Sequence, residues 1–425
     1  MSAEDVRQRI QRVEGSGMRT FTSPEPLVWA RTAGTSVWDE DGREYLDLYA
    51  GFAAAAVGYC HPRVTEAITR QAGIMTHCPS AAPSEVRAEF YEKLLAIAPS
   101  GLTRVMPALG GAQANEMAIH LAKAATGRRG VIAFSGAYLG RTVGSVIYAG
   151  KRAYREPFGL DAGAQFVPFP DPYRSPWAGD DEPGARAIAL VESYLMDPAS
   201  GVDLPACIMV EPIQGNGGIV IPPPGFLAGL RRIADEVGAL LIFDEIQCGF
   251  GRSGKIWAGE HDGVVPDLMT VGKGIGGGLS LAAVLGREGP MMSWKPDSVT
   301  ATFVANALPE AAAIAAIDVF CERDLAGRSA RLGAHTLEVL KRKLDGAREV
   351  GNVRGRGLFI GIEMVDGAGV PAPDTATKMA RRLREEGVIV GVGGRFGSVL
   401  KISPALVIEE ADLERGIAAI VEILQ

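Results

Sequence analysis

The sequence predicts an α/β protein: a large domain with a mostly parallel sheet flanked by helices, and a smaller α+β domain built from both termini. Short apolar runs alternate with helical patterns through the middle of the chain, and this alternation stops at about residue 310. A hairpin pattern precedes it, and a long helical pattern followed by paired strand patterns comes after it. We expect residues 1–60 and 311–425 to form the small domain and residues 61–310 the large one.

The N-terminal segment contributes a helix and a hairpin. Its first residues are amphipathic at helical spacing and end in glycines. The following segment SVWDEDGREYLDLY, residues 36–49, alternates apolar and polar residues around Asp41-Gly42. An Asp-Gly pair readily adopts the positive φ angles of a tight turn, so two antiparallel strands are expected here.

The middle of the chain predicts the parallel sheet. Five apolar runs are typical of buried strands: VIAF (131–134), CIMVEP (207–212), ALLIFDE (239–245), LMTVG (268–272) and LAAVLG (281–286). Between the second and third runs, residues 225–238 carry apolar side chains at helical spacing and end at Gly238, a helix stop. This strand–helix–strand order indicates a βαβ unit. Ligands of such sheets bind at the carboxyl ends of the strands.

The composition argues against several classes of function. The chain has 425 residues, of which 47% are hydrophobic, and a formal net charge of −7. This balance does not favour nucleic-acid binding, which needs clustered positive charge. No apolar run is long enough for a membrane span or a signal peptide. The five cysteines are scattered and the five histidines form no ligand motif, so we expect a cytoplasmic protein with reduced thiols and no metal site.

Charged residues follow three of the predicted strands. Asp244 ends the run ALLIF, Lys273 follows LMTVG, and Glu211 follows CIMV. An acid at the end of an apolar strand is costly to bury unless it has a cationic partner. Two interpretations follow: Asp244 and Lys273 pair as structural ions, or each contacts one ligand bound between them.

Two glycine-rich stretches are candidates for phosphate binding. Gly272, Gly274 and Gly277 spell G-x-G-x-x-G, but the next strand follows too soon for the helix that a dinucleotide loop requires. We therefore expect a turn that presents Lys273. The other stretch, Gly110-Gly111-Ala112, precedes a helical pattern from about Ala114. It is either an ordinary helix start or an anion site at a helix N-terminus.

The chain resembles a known family, the class III aminotransferases, which are pyridoxal 5′-phosphate (PLP) enzymes of fold type I, the aspartate-aminotransferase fold. The resemblance covers nearly the whole chain. The motifs that carry it are ALLIFDEIQCGFGRSGKIWAGEHDGVVPDLMTVGKGIGGG, VEPIQGNGG (210–218), YLGRT (138–142) and TFVAN (302–306). It implies a PLP-dependent transaminase that works on small-molecule amines and keto acids as a homodimer with shared active sites.

The resemblance also implies roles for individual residues. Lys273 would bond to the cofactor and shuttle the reacting proton, and Asp244 would pair with the pyridine nitrogen. Gln247 would lie near the phenolic oxygen of the ring, Tyr138 would stack on the ring, and Glu211 would line the site.

The phosphate of the cofactor would be held at a second group of positions. Gly111 and Ala112 would donate backbone N–H groups, and Thr302 would reach the phosphate from the neighbouring subunit. Arg141 matches the family pattern, but the chemistry assigns it no role. Where the family has Ser-Gly-Ser/Thr-Glu in the phosphate loop, this chain has Gly-Gly-Ala-Gln at 110–113, which removes one hydroxyl contact.

Two further departures from the family pattern concern the substrate. Lys401 stands where the family has an arginine that clamps the α-carboxylate, and Asn216 stands where many members have a glutamate that pairs with that arginine. Lysine is not equivalent to the bidentate arginine fork. Loss of a bond worth ~1.5–3 kcal/mol would weaken carboxylate binding ten- to hundredfold, unless Lys401 or Arg395 compensates. The alternative is a neutral change in a site that still binds carboxylates.

The first functional hypothesis is therefore an aminotransferase acting on an amine without an α-carboxylate. An amino sugar or aminocyclitol of natural-product biosynthesis is such an amine. The alternative donor is an ω-amino acid such as 4-aminobutyrate or ornithine. A third hypothesis is a PLP-dependent epimerase or racemase, which would need a second acid or base facing Lys273, and the sequence singles none out.

Overall fold

The structure is a computed structural model that describes residues 3–22, 26–177, 182–299 and 301–425. The strands in these ranges are β1 (Trp29–Ala33), β2 (Ser36–Asp39), β3 (Glu44–Asp47), β4 (Arg104–Ala108), β5 (Gly130–Phe134), β6 (Gln165–Val167), β7 (Pro205–Val210), β8 (Leu240–Asp244), β9 (Leu268–Val271), β10 (Ala282–Gly286), β11 (Val350–Gly355), β12 (Ile360–Met364), β13 (Val388–Ile389), β14 (Gly391–Gly393) and β15 (Val399–Ile402). The helices are α1 (Ala3–Val13), α2 (Ala50–Ala53), α3 (Pro62–Ala72), α4 (Glu85–Ala96), α5 (Gly111–Thr126), α6 (Val143–Val146), α7 (Arg152–Arg155), α8 (Pro183–Met196), α9 (Phe226–Val237), α10 (Glu288–Met291), α11 (Ala307–Glu322), α12 (Leu325–Lys343), α13 (Pro373–Glu385) and α14 (Glu410–Leu424).

The largest sheet has seven strands in the order β4-β10-β9-β8-β7-β5-β6. Five neighbours in it, from β9 to β6, run parallel, and β10 is antiparallel to both β9 and β4. Every residue of β7, β9 and β10 is buried, which is why these strands read as continuous apolar runs. The predicted βαβ unit is confirmed as β7-α9-β8. The helix α9 ends at Val237, and Gly238 follows it in the left-handed conformation.

Two smaller sheets are built from the terminal segments. The sheet β11-β12-β15-β14 is antiparallel, and the sheet β1-β2-β3-β13 contains the predicted hairpin. In the latter, β13 pairs in parallel with β3, so that Val388 lies opposite Leu46. This pairing joins the N-terminal and C-terminal segments. The helix α11 runs across the expected domain boundary at residue 310 and packs on α3 and α4, and the exact domain bounds stay a prediction.

The parallel strands place three chain segments at one edge of the large sheet. The residues that follow β7, β8 and β9 all leave the sheet at its carboxyl edge, because these strands are adjacent and parallel. Across the described ranges, no helix has both the length and the apolar character needed to cross a bilayer.

Candidate active site

A cavity of about 510 Å³ opens at the carboxyl edge of the large sheet. Glu211, Asp244 and Lys273 all line it, so the three charged residues that follow separate strands in the sequence meet in one place. The wall also includes four other residues predicted for the site, namely Gly111, Ala112, Tyr138 and Gln247. The structure therefore favours a shared ligand site over an isolated structural ion pair.

Asp244 is held by two hydrogen bonds at the bottom of this cavity. The side-chain amide of Asn115 donates to Oδ2 at 2.8 Å, and the backbone N–H of Ile246 donates to Oδ1 at 3.0 Å. Burial raises the pKa of the Asp244 carboxyl, while both hydrogen bonds and the positive charge of Lys273 oppose that rise. A cationic ring nitrogen would be a strong partner for this carboxylate.

Lys273 is presented by a constrained turn. It begins a short 3₁₀ helix, Lys273–Gly276, and its φ of 48° lies in the left-handed region, which is unfavourable for a residue with a Cβ. The next strand begins at Ala282, which confirms that no dinucleotide-type helix follows the glycines. Burial lowers the pKa of the Lys273 ammonium, and the negative charges of Asp244 and Glu211 partly offset this. A lowered pKa makes the amine a better nucleophile near neutral pH.

Glu211 ties two loops of the site together. Its Oε1 accepts from the backbone N–H of Tyr138 and its Oε2 from that of Gly215, each at 2.9 Å. Burial, followed by the negative charge of Asp244, raises the pKa of Glu211 to about 7. Both carboxylate oxygens are thus engaged in positioning backbone rather than in an ion pair.

The N-terminus of α5 forms an anion cradle on another wall of the cavity. Gly111 and Ala112 are the first two residues of this helix of 16 residues, so their N–H groups have no partner within the helix. Gly140 lies against them with a φ of 119°, and a Cβ on Gly140 would lie only 2.4 Å from the Cβ of Ala112. The close approach keeps this end of the cavity narrow. A phosphate group fits such a helix terminus.

Four of the expected residues lie outside the cavity lining, namely Thr302, Arg395, Lys401 and Asn216. Thr302 is exposed and is not part of the lining. The Arg395 guanidinium lies over the ring of Phe396, and both residues line a separate cavity with Arg174. The Arg395 backbone N–H donates to the carbonyl of Gly217 at 2.9 Å, so it contributes to loop docking.

Lys401 and Asn216 converge beside Gly393. A Cβ on Gly393 would lie 3.0 Å from Nζ of Lys401 and 3.7 Å from Oδ1 of Asn216. Lys401 is only 2% exposed, and its Nζ lies 5.1 Å from the centre of the Tyr49 ring. Burial, and next the positive charge of Lys273, lower the pKa of Lys401 to about 7.

Sequence reasoning missed Asn115 and Tyr154. The amide oxygen of Asn115 accepts from Oγ1 of Thr270 at 2.7 Å, so the amide bridges α5, β8 and β9. The hydroxyl of Tyr154 accepts from the amide of Asn216, and its ring meets that of Tyr138 edge-on with centres 5.5 Å apart. Asn115 could have been found from the sequence, because it is a polar residue within the apolar face of α5. No sequence pattern indicates the role of Tyr154.

The geometry agrees with a family match over almost the entire chain. The family model described as "Aminotransferase class-III" matches residues 20–424. The chain belongs to the class III aminotransferases. This membership confirms the resemblance inferred from the sequence motifs.

Relatives of this class III aminotransferase include enzymes of different names. A diaminobutyrate–2-oxoglutarate aminotransferase of Rhizobium meliloti is 35% identical, over 94% of this chain and 88% of the relative. An alanine/serine racemase of Pyrococcus horikoshii is also 35% identical, over 98% of this chain and 89% of the relative. Among solved structures, the ornithine aminotransferase of Toxoplasma gondii superposes with a TM-score of 0.87 at 29% identity, over 100% of this chain and 94% of that one.

The cofactor of this class III aminotransferase is pyridoxal phosphate, and its fold is fold type I, as predicted. The Toxoplasma gondii structure was described with partial occupancy of PLP at its active site. The donors in the present cavity fit that molecule: a buried carboxylate at Asp244 for a ring nitrogen, an amine at Lys273 for an aldehyde, and free N–H groups at Gly111 and Ala112 for a phosphate. The protein is a PLP-dependent transaminase.

Proposed function

We propose that this aminotransferase moves the terminal amino group of an ω-amino acid to a 2-oxo acid. The observation that carries the proposal is Lys401, a buried cation near the cofactor cavity. Among the described residues, its Nζ has no acidic side chain as a hydrogen-bonding or ion-pairing partner. A buried, unpaired ammonium is costly, and a substrate carboxylate would balance it. An amine that lacks any carboxylate would leave this cost in place.

Two of the relatives are named for substrates of this kind. Diaminobutyrate and ornithine each carry two amines and a carboxylate, and the names come from enzymes that align over nearly the full chain. These relatives support the ω-amino-acid alternative better than the first hypothesis of an amino sugar or aminocyclitol. On this assignment Lys401 and Asn216 form a carboxylate site that differs in composition from the family pattern but still binds a carboxylate. Arg395 supports this site through its backbone contact with Gly217.

Bound PLP supplies an electron-withdrawing ring that stabilises negative charge on the substrate carbon next to nitrogen. We assign Lys273 as the amine that carries the proton to and from that carbon. Its lowered pKa suits an acid–base role near neutral pH. Asp244, fixed by Asn115, holds the proton on the ring nitrogen.

The other cavity residues position the cofactor. Gly111 and Ala112 would donate their N–H groups to the phosphate, and Tyr138 would stack on the ring. Gln247 lines the cavity and would lie near the phenolic oxygen, and Glu211 fixes the backbone of Tyr138 by accepting its N–H. All five residues line the cavity or support its wall.

We further propose that the enzyme is a cytoplasmic homodimer in which Thr302 completes the phosphate site of the partner. The exposure of Thr302 on its own chain, and that of the neighbouring Phe303, which is 60% exposed, support this arrangement. Dilution should release the cofactor in step with dimer dissociation, measured together by absorbance and sedimentation. Retention of PLP by a monomer would contradict the role of Thr302.

A racemase stays a second candidate because of the Pyrococcus horikoshii relative. Racemisation requires an acid or base on each side of the substrate carbon. Lys273 supplies one. Lys401 is a second titratable amine, whose pKa is lowered in part by the charge of Lys273.

A donor screen in D₂O tests the proposal. The holoenzyme is incubated with 4-aminobutyrate, ornithine, an aminocyclitol or L-alanine, each with 2-oxoglutarate, and Lys273→Ala is the inactive control. Aldehyde or keto product from the ω-amino acids, with glutamate formed, is the expected result. Turnover of the aminocyclitol alone would overturn the assignment of Lys401, and deuterated, inverted alanine without keto product would establish the racemase instead.

A further inference from the structure

Arg87 joins two loops that lie far apart in the sequence. From its position in α4 it donates to the carbonyl of Ser80 at 3.1 Å, and to those of Pro79 and Ala305 at 3.3 and 3.4 Å. Ser80 and Pro79 belong to the loop before α4, which we call the 77–84 loop. Ala305, which is 218 positions away from Arg87, belongs to the loop before α11, the 301–306 loop. One planar side chain therefore fixes the backbone of both loops.

A buried acid holds Arg87 in this position. Glu310 lies in the first turn of α11, is fully buried, and has its Oε1 3.8 Å from Nε of Arg87. Within the part of the chain that the structure describes, neither oxygen of Glu310 accepts a hydrogen bond and Nε of Arg87 donates none. The two side chains are thus joined by charge alone. Removing either would leave the other charge buried without a counter-charge, so each keeps the other in place.

The 301–306 loop contains a strained residue where Arg87 binds it. Ala305 has a φ of 61°, in the left-handed region, which is unfavourable for a residue with a Cβ. Such a conformation persists only where surrounding contacts impose it. The hydrogen bond from Arg87 to the Ala305 carbonyl is one such contact. The ring of His77, which meets that of Phe303 edge-on with centres 5.4 Å apart, is a second contact between the same two loops.

Thr302 lies on the outer side of this loop. It comes three residues before Ala305 and is exposed, whereas Ala305 is buried and bonded to Arg87. A change in the backbone at Ala305 would move Thr302 with it, because a short loop with one end fixed at α11 has few other ways to relax. Arg87 would therefore act on Thr302 through the loop backbone, without touching the cofactor itself.

We propose that Arg87 is a positioning residue for the cofactor phosphate: it holds the 301–306 loop in the conformation that places Thr302 at the PLP of the partner subunit. The inference rests on the proposed homodimer, because Thr302 reaches a phosphate only there. The affinity of each site for PLP then depends on an arginine of the neighbouring subunit. The alternative is that Arg87 fastens the two loops for stability alone.

A comparison of two cofactors separates these alternatives. The apoenzyme is titrated with PLP and with pyridoxal, which lacks the phosphate, and binding is followed by absorbance. Arg87→Met removes the charge and the donors but keeps the apolar stem. Arg87→Lys keeps the charge beside Glu310 and loses the planar fork that spans both loops, and it replaces Arg87→Met if that variant does not fold. Thr302→Val removes the hydroxyl that would meet the phosphate.

Arg128 supplies the matched control, because it too donates to backbone carbonyls of distant segments. Its Nη1 lies 2.8 Å from the carbonyl oxygen of Val237 and 3.3 Å from that of Pro205, the first residue of β7. These contacts are at the amino edge of the large sheet, opposite the edge where the cofactor cavity opens. Arg128→Met should lower the melting temperature and change the affinity for either cofactor by less than about twofold.

The proposal expects Arg87→Met to weaken PLP binding by about tenfold, and pyridoxal binding by less than about twofold. Arg87→Lys should show the same selective loss, by about threefold or more. In the Thr302→Val background, Arg87→Met should cause no further loss of PLP affinity, because the group through which it acts is already gone.

Three results would overturn the proposal. These are equal losses for PLP and pyridoxal in Arg87→Met, losses from Arg87→Met and Thr302→Val that multiply in the double variant, and PLP binding by the Arg87 variant as tight as in the unmodified enzyme. An unchanged PLP affinity in Thr302→Val would contradict the proposed role of Thr302 and remove this inference with it. A loss in Thr302→Val with none in the Arg87 variant would overturn the inference alone.

Discussion

Asn115 and Asp244 are joined by a hydrogen bond of 2.8 Å from the amide nitrogen to Oδ2. The amide oxygen of Asn115 is itself fixed by the hydroxyl of Thr270 at 2.7 Å. The carboxylate is thus aimed by a side chain from α5, the helix whose N-terminus forms the anion cradle. One helix therefore positions both the anion cradle and the carboxylate that we assign to the ring nitrogen.

Replacing Asn115 by alanine should weaken PLP binding by about ten- to hundredfold. The change removes a hydrogen bond to a charged group, worth roughly 1.5–3 kcal/mol, and leaves Thr270 without its acceptor. Titration of the apoenzyme with PLP, followed by absorbance, measures the effect. Met117→Ala on the same helix is the control: it loses buried packing and lowers the melting temperature, while Asp244 keeps its hydrogen bonds. Equal PLP affinity in Asn115→Ala and the unmodified enzyme would refute the positioning role.

The elements that sequence predicted best are those with a local signal. The strands of the large sheet follow from unbroken apolar runs, and the hairpin follows from Asp41-Gly42. The charged residues Asp244 and Lys273 stood out because each ends such a run. The predicted start of α5 was wrong: the helix begins at Gly111, three residues before the expected Ala114. The first turn of a helix accepts glycine, because its N–H groups have no partner within the helix.

The contacts that sequence could not predict join distant segments. Lys151 and Gly394 meet only because the β14–β15 loop docks on Asn216 and Gly217, a tertiary contact without a local pattern. The sequence around Tyr154 predicts only an aromatic residue in a short helix, and its hydrogen bond from Asn216 is visible only in the structure. Family motifs mark the cofactor side of the site, where the chemistry is shared. They do not mark the contacts of Lys151 with Gly394 or of Tyr154 with Asn216.

Gly140→Ala should reduce PLP affinity by more than about tenfold. A Cβ at this position would lie 2.4 Å from Cβ of Ala112 and 2.5 Å from Oγ of Ser145, and the φ of 119° is unfavourable for alanine. The backbone must shift, and the cradle at the start of α5 shifts with it. Equilibrium dialysis of PLP measures the loss.

Gly110, which directly precedes α5, provides the control for this cradle. A Cβ on Gly110 would meet nothing within 4 Å, and its φ of −173° is extended backbone that alanine adopts freely. Gly110→Ala should bind PLP within about twofold of the unmodified enzyme. If the two variants bind equally well, the close packing of Gly140 on Ala112 does not matter for the cofactor.

Lys401→Arg should make the binding of carboxylate substrates less sensitive to pH between 6 and 9. With a pKa of about 7, the Lys401 ammonium loses its proton as pH rises through neutrality, whereas a guanidinium stays charged. At pH 8 about a tenth of Lys401 is protonated, so the variant should have a KM for 2-oxoglutarate lower by about tenfold. Steady-state kinetics across this range, with butylamine as a donor without a carboxylate for the control, test it. A KM for 2-oxoglutarate that rises equally with pH in both enzymes would remove Lys401 as its cause.

Lys401→Met should stabilise the protein, and more so at pH 6 than at pH 9. The pKa of Lys401 is about 7 in the fold, against its ordinary value of 10.5. Below pH 7 the folded protein carries the buried Lys401 ammonium, which lowers its free energy of unfolding. Between pH 7 and pH 10.5 only the unfolded chain binds the proton, so the stability of the folded protein rises with pH. Removing the amine should therefore gain about 3 kcal/mol more at pH 6 than at pH 9. Thermal unfolding of the apoenzyme at both pH values measures this difference, and Lys378→Met, at an exposed position of α13, should show none. A gain that is equal at both pH values would mean that Lys401 stays in one protonation state throughout.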